Sequence, residues 1–122
     1  MRMHTRTSYK GYDEVSEFLT RWRGARAEPW EYLCSHGQFL LRFSRREPDW
    51  NPARGIYVHC KDCVTVSFDS YAWDDSDVQL ARAPDPLGEL LTLSDGGRLR
   101  ITCHYIFAYE MDTRFTLFEP LP

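Results

Sequence analysis

Gly-Ile-Tyr-Val-His-Cys-Lys-Asp-Cys-Val-Thr-Val-Ser-Phe-Asp, residues 55–69, is the stretch whose reading decides the fold. Ile56 and Val58, then Val64, Val66 and Phe68, are apolar at a spacing of two, which is the signature of β-strand. A two-residue turn at Lys61-Asp62 would set Val58 opposite Thr65 and throw the aliphatics of the two halves onto opposite faces. It would also require positive φ at both residues. A three-residue loop, Cys60-Lys61-Asp62 with Asp62 left-handed, instead pairs His59 with Cys63, Val58 with Val64 and Ile56 with Val66. Every aliphatic then lies on one face, and register follows the buried face. The stretch is therefore expected to be a hairpin. Its second, more polar face carries Tyr57, His59, Cys63, Thr65 and Ser67, solvated or functional.

Upstream, Tyr12, Val15, Phe18, Leu19 and Trp22 recur at helical spacing and predict an amphipathic helix over residues 11–23. Asp13, Glu14 and Glu17 sit near its positive end and Arg21 and Arg23 near its negative end, with Gly24 as a natural C′ residue. Residues 1–10 read as a polar arm, flexible or partly ordered, with a short strand near its end. Residues 30–35 and 38–44 read as a strand pair turning at His36-Gly37, and residues 45–54, with Pro48, Trp50 and Pro52, as an irregular loop.

Downstream of the hairpin, residues 70–76 form another loop and residues 77–83 an edge-like strand broken by Pro84-Asp85-Pro86. A short strand over 87–93 meets a hairpin turn at Asp95-Gly96-Gly97. The longest strand covers 98–110, with Leu99, Ile101, Cys103, Tyr105, Phe107 and Tyr109 on one face. Residues 115–118 read as a last strand. The expected fold is α+β: one N-terminal helix packed on a curved, mainly antiparallel sheet of about six strands. The alternative is an all-β sandwich or partial barrel with one helix.

The 122 residues suit a single domain. Seven tyrosines, seven phenylalanines and four tryptophans favour sheet. The net charge of −3 hides an asymmetry: residues 1–61 hold 11 Lys and Arg against 7 Asp and Glu, and residues 62–122 hold 4 against 11. Such halves either mark a partner surface or neutralise each other across the fold. Overall acidity argues against nucleic acid, which calls for a basic footprint. The N-terminus lacks the apolar core of a secretory signal, and no apolar run approaches the roughly 18 residues of a membrane span. A soluble cytoplasmic protein with reduced thiols is expected.

Four constellations bear chemistry. Cys60 and Cys63 have the spacing of half a zinc site. Its other half would be Cys34 with His36, or Cys103 with His104, and neither is a second Cys-x-x-Cys. The motif also sits away from any helix N-terminus that would activate a thiol. The thiols are read first as small hydrophobes, so no cofactor is expected and a zinc-stapled domain is the alternative. His59 and His104 form a candidate acid–base pair for a small hydrolase. Asp74, Asp75 and Asp77 offer oxygens to a hard cation but lack the glycine and distal glutamate of a calcium loop. Arg45, Arg46, Trp50 and Arg54 in one loop, with Tyr71, Trp73, Asp74 and Asp75 in the other, combine charge and aromatic rings as protein-binding hot spots do. The leading expectation is a non-enzymatic binding module that meets a protein partner through loops 45–54 and 71–77.

Overall fold

The structure, a computed structural model, describes residues 6–117. In chain order it comprises β1 (Arg6–Lys10), α1 (Gly11–Arg21), β2 (Arg26–Leu33), a 3₁₀ turn (Cys34–His36), β3 (Gln38–Ser44), β4 (Gly55–Phe68), β5 (Gln79–Asp85), β6 (Gly88–Asp95) and β7 (Leu99–Met111). The strands make one antiparallel sheet in the order β2-β3-β4-β7-β6-β5. β7 is its spine. One side of β7 pairs with β4 along its whole length, and the other pairs first with β6 and then with β1. β2 and β5 remain as edges, so the sheet is open. One helix on a mostly antiparallel sheet is the architecture the sequence predicts, with seven strands among the described residues where about six were expected. Residues 6–10 of the expected arm are β1, and residues 1–5 lie outside the described residues.

Residues 55–68 are not a hairpin but one continuous strand. Asp62 does take the left-handed conformation expected of it, with φ 52°. Its effect is a bend inside the strand, not a reversal. The reason is nonlocal: β7 offers a 13-residue partner, and β4 follows it from Gly55 opposite Met111 to Phe68 opposite Leu99. The register slips between Cys63 and Thr65. A bulge of this kind inserts one unpaired residue and changes which face the following residues occupy. Ile56, Val58 and Cys60 are buried, and the face changes across Asp62 so that Cys63 packs on the same cluster. The bulge changes it back, so that Val66 packs there too and Val64 is left 60% exposed. β7 switches with its partner. Leu99, Ile101 and Cys103, then Ile106 and Ala108, enter the core, so the expected single apolar face through Tyr109 is broken and Tyr105 is exposed.

The concave face of the sheet carries the main core. Val15, Phe18 and Leu19 of α1, and Trp22 just after it, are buried there, and the Phe18 ring lies 6.3 Å from that of Phe43. Each such side chain contributes about 1.5–3 kcal/mol by leaving water. The helix stops at Arg21, two residues short of the expected end, because Trp22 turns into the core. Gly24 then takes φ 86° and donates its N–H to the Ser76 carbonyl at 2.7 Å. Residues 73–76 cross from β6 to the β2 edge. Trp73 forms an isolated bridge with Ala27, and its indole N–H bonds the Asp95 carboxylate at 2.7 Å.

Edge positions explain the prolines. Pro29 lies in β2 at a register shift, and Pro84 lies in β5; both strands are edges, where a missing N–H faces away from the ladder. The expected break at Pro84 is thus absent, and β5 pairs down to Asp85 opposite Gly88. The expected strand over 115–118 also fails. Residues 115–117 hold no strand and cover the convex face, while Phe118 lies outside the described residues.

Gly55 begins β4 because nothing larger fits. A Cβ there would lie 2.5 Å from Tyr57 Cε2 and 2.6 Å from the Thr113 carbonyl oxygen. Gly55→Ala is expected to cost about 1–3 kcal/mol by overpacking. Chemical denaturation reads this as a lowered midpoint with an unchanged slope, and a wild-type midpoint would show that the contact relaxes freely.

Candidate functional site

The two loops singled out from sequence lie side by side. The Arg46 guanidinium reaches the Asp74 carboxylate at 3.3 Å, and Arg26 reaches the same carboxylate at 3.4 Å. Arg23 pairs with Asp77 at 3.2 Å. Between the loops runs an open groove of about 360 Å³, lined by residues 23–26, 45–47, 74 and 75. Basic residues from the first half of the chain thus meet acidic residues from the second, and at this end the charge asymmetry is spent within the fold. Exposed pairs of this kind add little stability. They do hold the loops in register.

The aromatic residues of these loops divide in two. Trp73 is 6% exposed and serves the core. Trp50 packs edge-on to Trp22 at 6.0 Å, with the Arg54 guanidinium 5.1 Å from the Trp50 ring and that of Arg45 4.5 Å from the Trp22 ring. Arg45 also donates to the Arg21 carbonyl at 2.7 Å. Stacks of cation on ring of this kind clamp the loop onto α1. Tyr71 differs. It is 93% exposed, and with Phe68, Asp69 and Ser70 it lines a small hollow of about 190 Å³. Phe68 continues inward to Phe39, ring to ring at 5.7 Å, and Phe39 to Tyr32 at 6.4 Å. Asp75 is exposed in the same loop, with φ 52°.

His59 sits on the convex face, expected to be the more polar one and either solvated or functional. That face is covered. Phe115 donates its backbone N–H to the Tyr57 hydroxyl at 3.1 Å, and Leu117 donates to the Glu31 carboxylate at 2.9 Å. The final described residues therefore close over Leu40, Tyr57 and Met111. His59 is 3% exposed beneath them. Its Nε2 lies 2.8 Å from Gln38 Oε1 and its Nδ1 3.2 Å from the Tyr109 hydroxyl. A carboxamide oxygen only accepts, so Nε2 carries the proton and Nδ1 accepts from tyrosine. Burial first, and Lys61 second, lower the imidazole from 6.5 to about 4. Burial likewise raises the Tyr57 and Tyr109 hydroxyls.

His104 does not join it. Its Nδ1 lies 3.2 Å from the Glu89 carbonyl on β6, whereas His59 reaches toward β3. β4 and β7 stand between those two strands. β4 and β7 are themselves neighbours, but His59 lies opposite Phe107, three residues along β7 from His104. That is roughly 10 Å at the rise of a strand, and the two rings hydrogen-bond in opposite directions, toward β3 and toward β6. Tyr57 was placed beside His59 by the sequence reading, but the neighbours Gln38, Tyr109 and Phe115 were not. The visible signal was the alternation of Tyr57 with His59 and of Phe107 with Tyr109, which places four rings on one face.

Three of the four cysteines gather on the concave side. Cys103 lies opposite Cys63 in the ladder, and its side chain meets that of Cys60. Both Cys60 and Cys103 are buried, Cys63 is partly covered, and Cys34 is exposed in the 3₁₀ turn. The contact with Cys103 and burial raise the Cys60 thiol well above its ordinary value. Burial, with Cys103 and Asp62 adding, pushes Cys63 up to about 12. Among the described residues, no group of three or more His, Cys, Asp and Glu side chains is arranged to hold a metal ion. In the same residues, no helix is long and apolar enough to cross a membrane.

No protein family, no characterised protein and no solved structure matches this chain.

Proposed function

We propose that this chain is a binding module without a chemical step of its own, docking on a protein partner where loops 45–54 and 71–77 meet. The observation that carries the reading is Tyr71. A tyrosine 93% exposed on a loop tip contributes nothing to its own core, yet tyrosine is among the residues that dominate binding energy at protein interfaces. The loop beneath it is firmly held: Trp73 bridges Ala27 on one side and bonds Asp95 on the other. A held loop presents its anchor without ordering cost at the moment of binding. The groove formed with residues 74 and 75 of the same loop offers both signs of charge, Arg23, Arg45 and Arg46 with Asp74 and Asp75. Mixed charge sets register with a partner more than affinity.

Photocrosslinking tests this. A photoreactive phenylalanine at position 71 is expected to capture one discrete partner in cells, and the same probe at position 105, also exposed, none. Equal capture at both positions, or at neither, would sink the reading. With the captured partner purified, Tyr71→Ala should weaken binding at least tenfold while the melting temperature stays within about 1 °C, as befits an exposed side chain.

A further inference from the structure

We infer that Cys63 and Cys103 form an oxidative cross-link site, closed by a small disulfide reagent of the oxidised-glutathione class. The ladder sets the two residues directly opposite each other. The Cys63 N–H bonds the Gly37 carbonyl at 2.9 Å, on the side away from β7. The pair is therefore a non-hydrogen-bonded one, the kind whose Cα atoms stand about 4.5 Å apart with side chains close. That separation lies inside the window a disulfide needs, about 4.4–6.8 Å. Both side chains point into the concave core, since Cys103 belongs to it and Cys63 packs against it. Cys63 is also the one of the two that solvent reaches.

Cys60 is excluded by register. It lies opposite Ile106, three residues along β7 from Cys103. A strand advances about 3.3 Å per residue, which puts the Cα atoms near 10 Å apart and outside bridging range. Its thiol touches Cys103, but its backbone stands too far away.

The exchange balances as follows. Cys63, as thiolate, attacks one sulfur of the reagent and joins to it, and the first reagent thiol departs with the proton Cys63 lost. Cys103 then loses its proton and attacks Cys63 Sγ, and the second reagent thiol departs with that proton. Two protein S–H bonds and one reagent S–S bond become one protein S–S bond and two reagent S–H bonds. The protein is oxidised by two electrons and the reagent reduced by two. Because the attacking thiol titrates near 12, the first step is slow at neutral pH and accelerates about tenfold per pH unit up to that range. The same high basicity makes the Cys63 thiolate a poor leaving group, which slows reduction by attack on the Cys103 sulfur.

The test uses the reduced full chain with oxidised glutathione at pH about 9, followed by peptide mapping without reductant. The expected product is a peptide pair joined Cys63 to Cys103, with a melting temperature raised by roughly 5–10 °C, since the bond closes a long loop. Cys63→Ser should abolish both effects, and Cys34→Ser should leave both intact. Cys63 is only partly covered, so its replacement spares the fold where that of Cys103 would endanger it. A cross-link through Cys34 or Cys60, or glutathione retained on Cys63 with no second step, would overturn the assignment. So would a cross-link that forms only in denaturant.

Discussion

Lowering the pH from about 7 to about 4 is expected to remove about 3 kcal/mol of folding stability through His59 alone. In the folded protein the imidazole titrates near 4, against 6.5 for an ordinary histidine. The unfolded chain therefore takes up the proton first as pH falls. Above about 6.5 both states are neutral and the contribution is whole. Between 6.5 and 4 the unfolded state gains protons that the folded state refuses, and stability declines; below 4 both are charged and the loss levels off. The cause is physical enclosure. The ring is 3% exposed, with Phe107, Tyr109 and Phe115 within 6.3 Å of its centre. Nδ1 faces a hydroxyl that can itself accept, so a charged ring would keep its hydrogen bonds but not its hydration. Urea unfolding of the wild type and of His59→Gln across this range supplies the measurement. The carboxylates titrate in both proteins, so the difference between the two curves isolates His59. Parallel curves would mean that the ring is solvated and the convex face open.

Arg42→Ala is expected to destabilise the fold by about 2–4 kcal/mol and to free the 45–54 loop. Arg42 lies in β3 and is 7% exposed. Its Nη2 donates to the Pro52 and Arg54 carbonyls at 2.9 and 3.0 Å. Its guanidinium lies 4.7 Å from the Trp30 ring, and Nη1 lies 3.6 Å from the Glu28 carboxylate. Truncation would leave two carbonyls without this donor and a carboxylate without its cation. Those losses, not the charge pair itself, set the size of the effect. Nε has no partner in the fold, so the arrangement is under-satisfied even in the wild type. Limited proteolysis should cut within residues 45–54 of the variant under conditions where the wild type is intact. Arg42→Lys should restore less than half of the loss, because an ammonium lacks the planar fork. Wild-type stability and protease resistance in Arg42→Ala would show that the loop is held by its tryptophans alone.

The candidate site was legible in part. Trp50, Arg45, Arg54 and Tyr71 stand out in sequence because aromatic and charged residues share short loops. Their different fates, three clamped and one free, depend on Trp22 at the end of α1, which no local pattern connects to them. That the convex face is covered was not legible, because its cover, residues 115–117, lies far along the chain from the strands it seals.

Local signals alone determined the helix at Gly11–Arg21, whose stripe repeats within one turn. They also determined the turn at residues 95–97, and the strand character of residues 38–44, 55–68 and 99–111. Propensity and periodicity act over a few residues, and those features need no more. Tertiary structure decided what the left-handed Asp62 does. The same backbone conformation opens a hairpin loop or bends a strand that continues. The long β7 ladder supplies the hydrogen bonds that favour the continuing strand. From that one nonlocal choice follow the change of face across Asp62 and the pairing of Cys63 with Cys103; the burial of His59 adds the cover of residues 115–117.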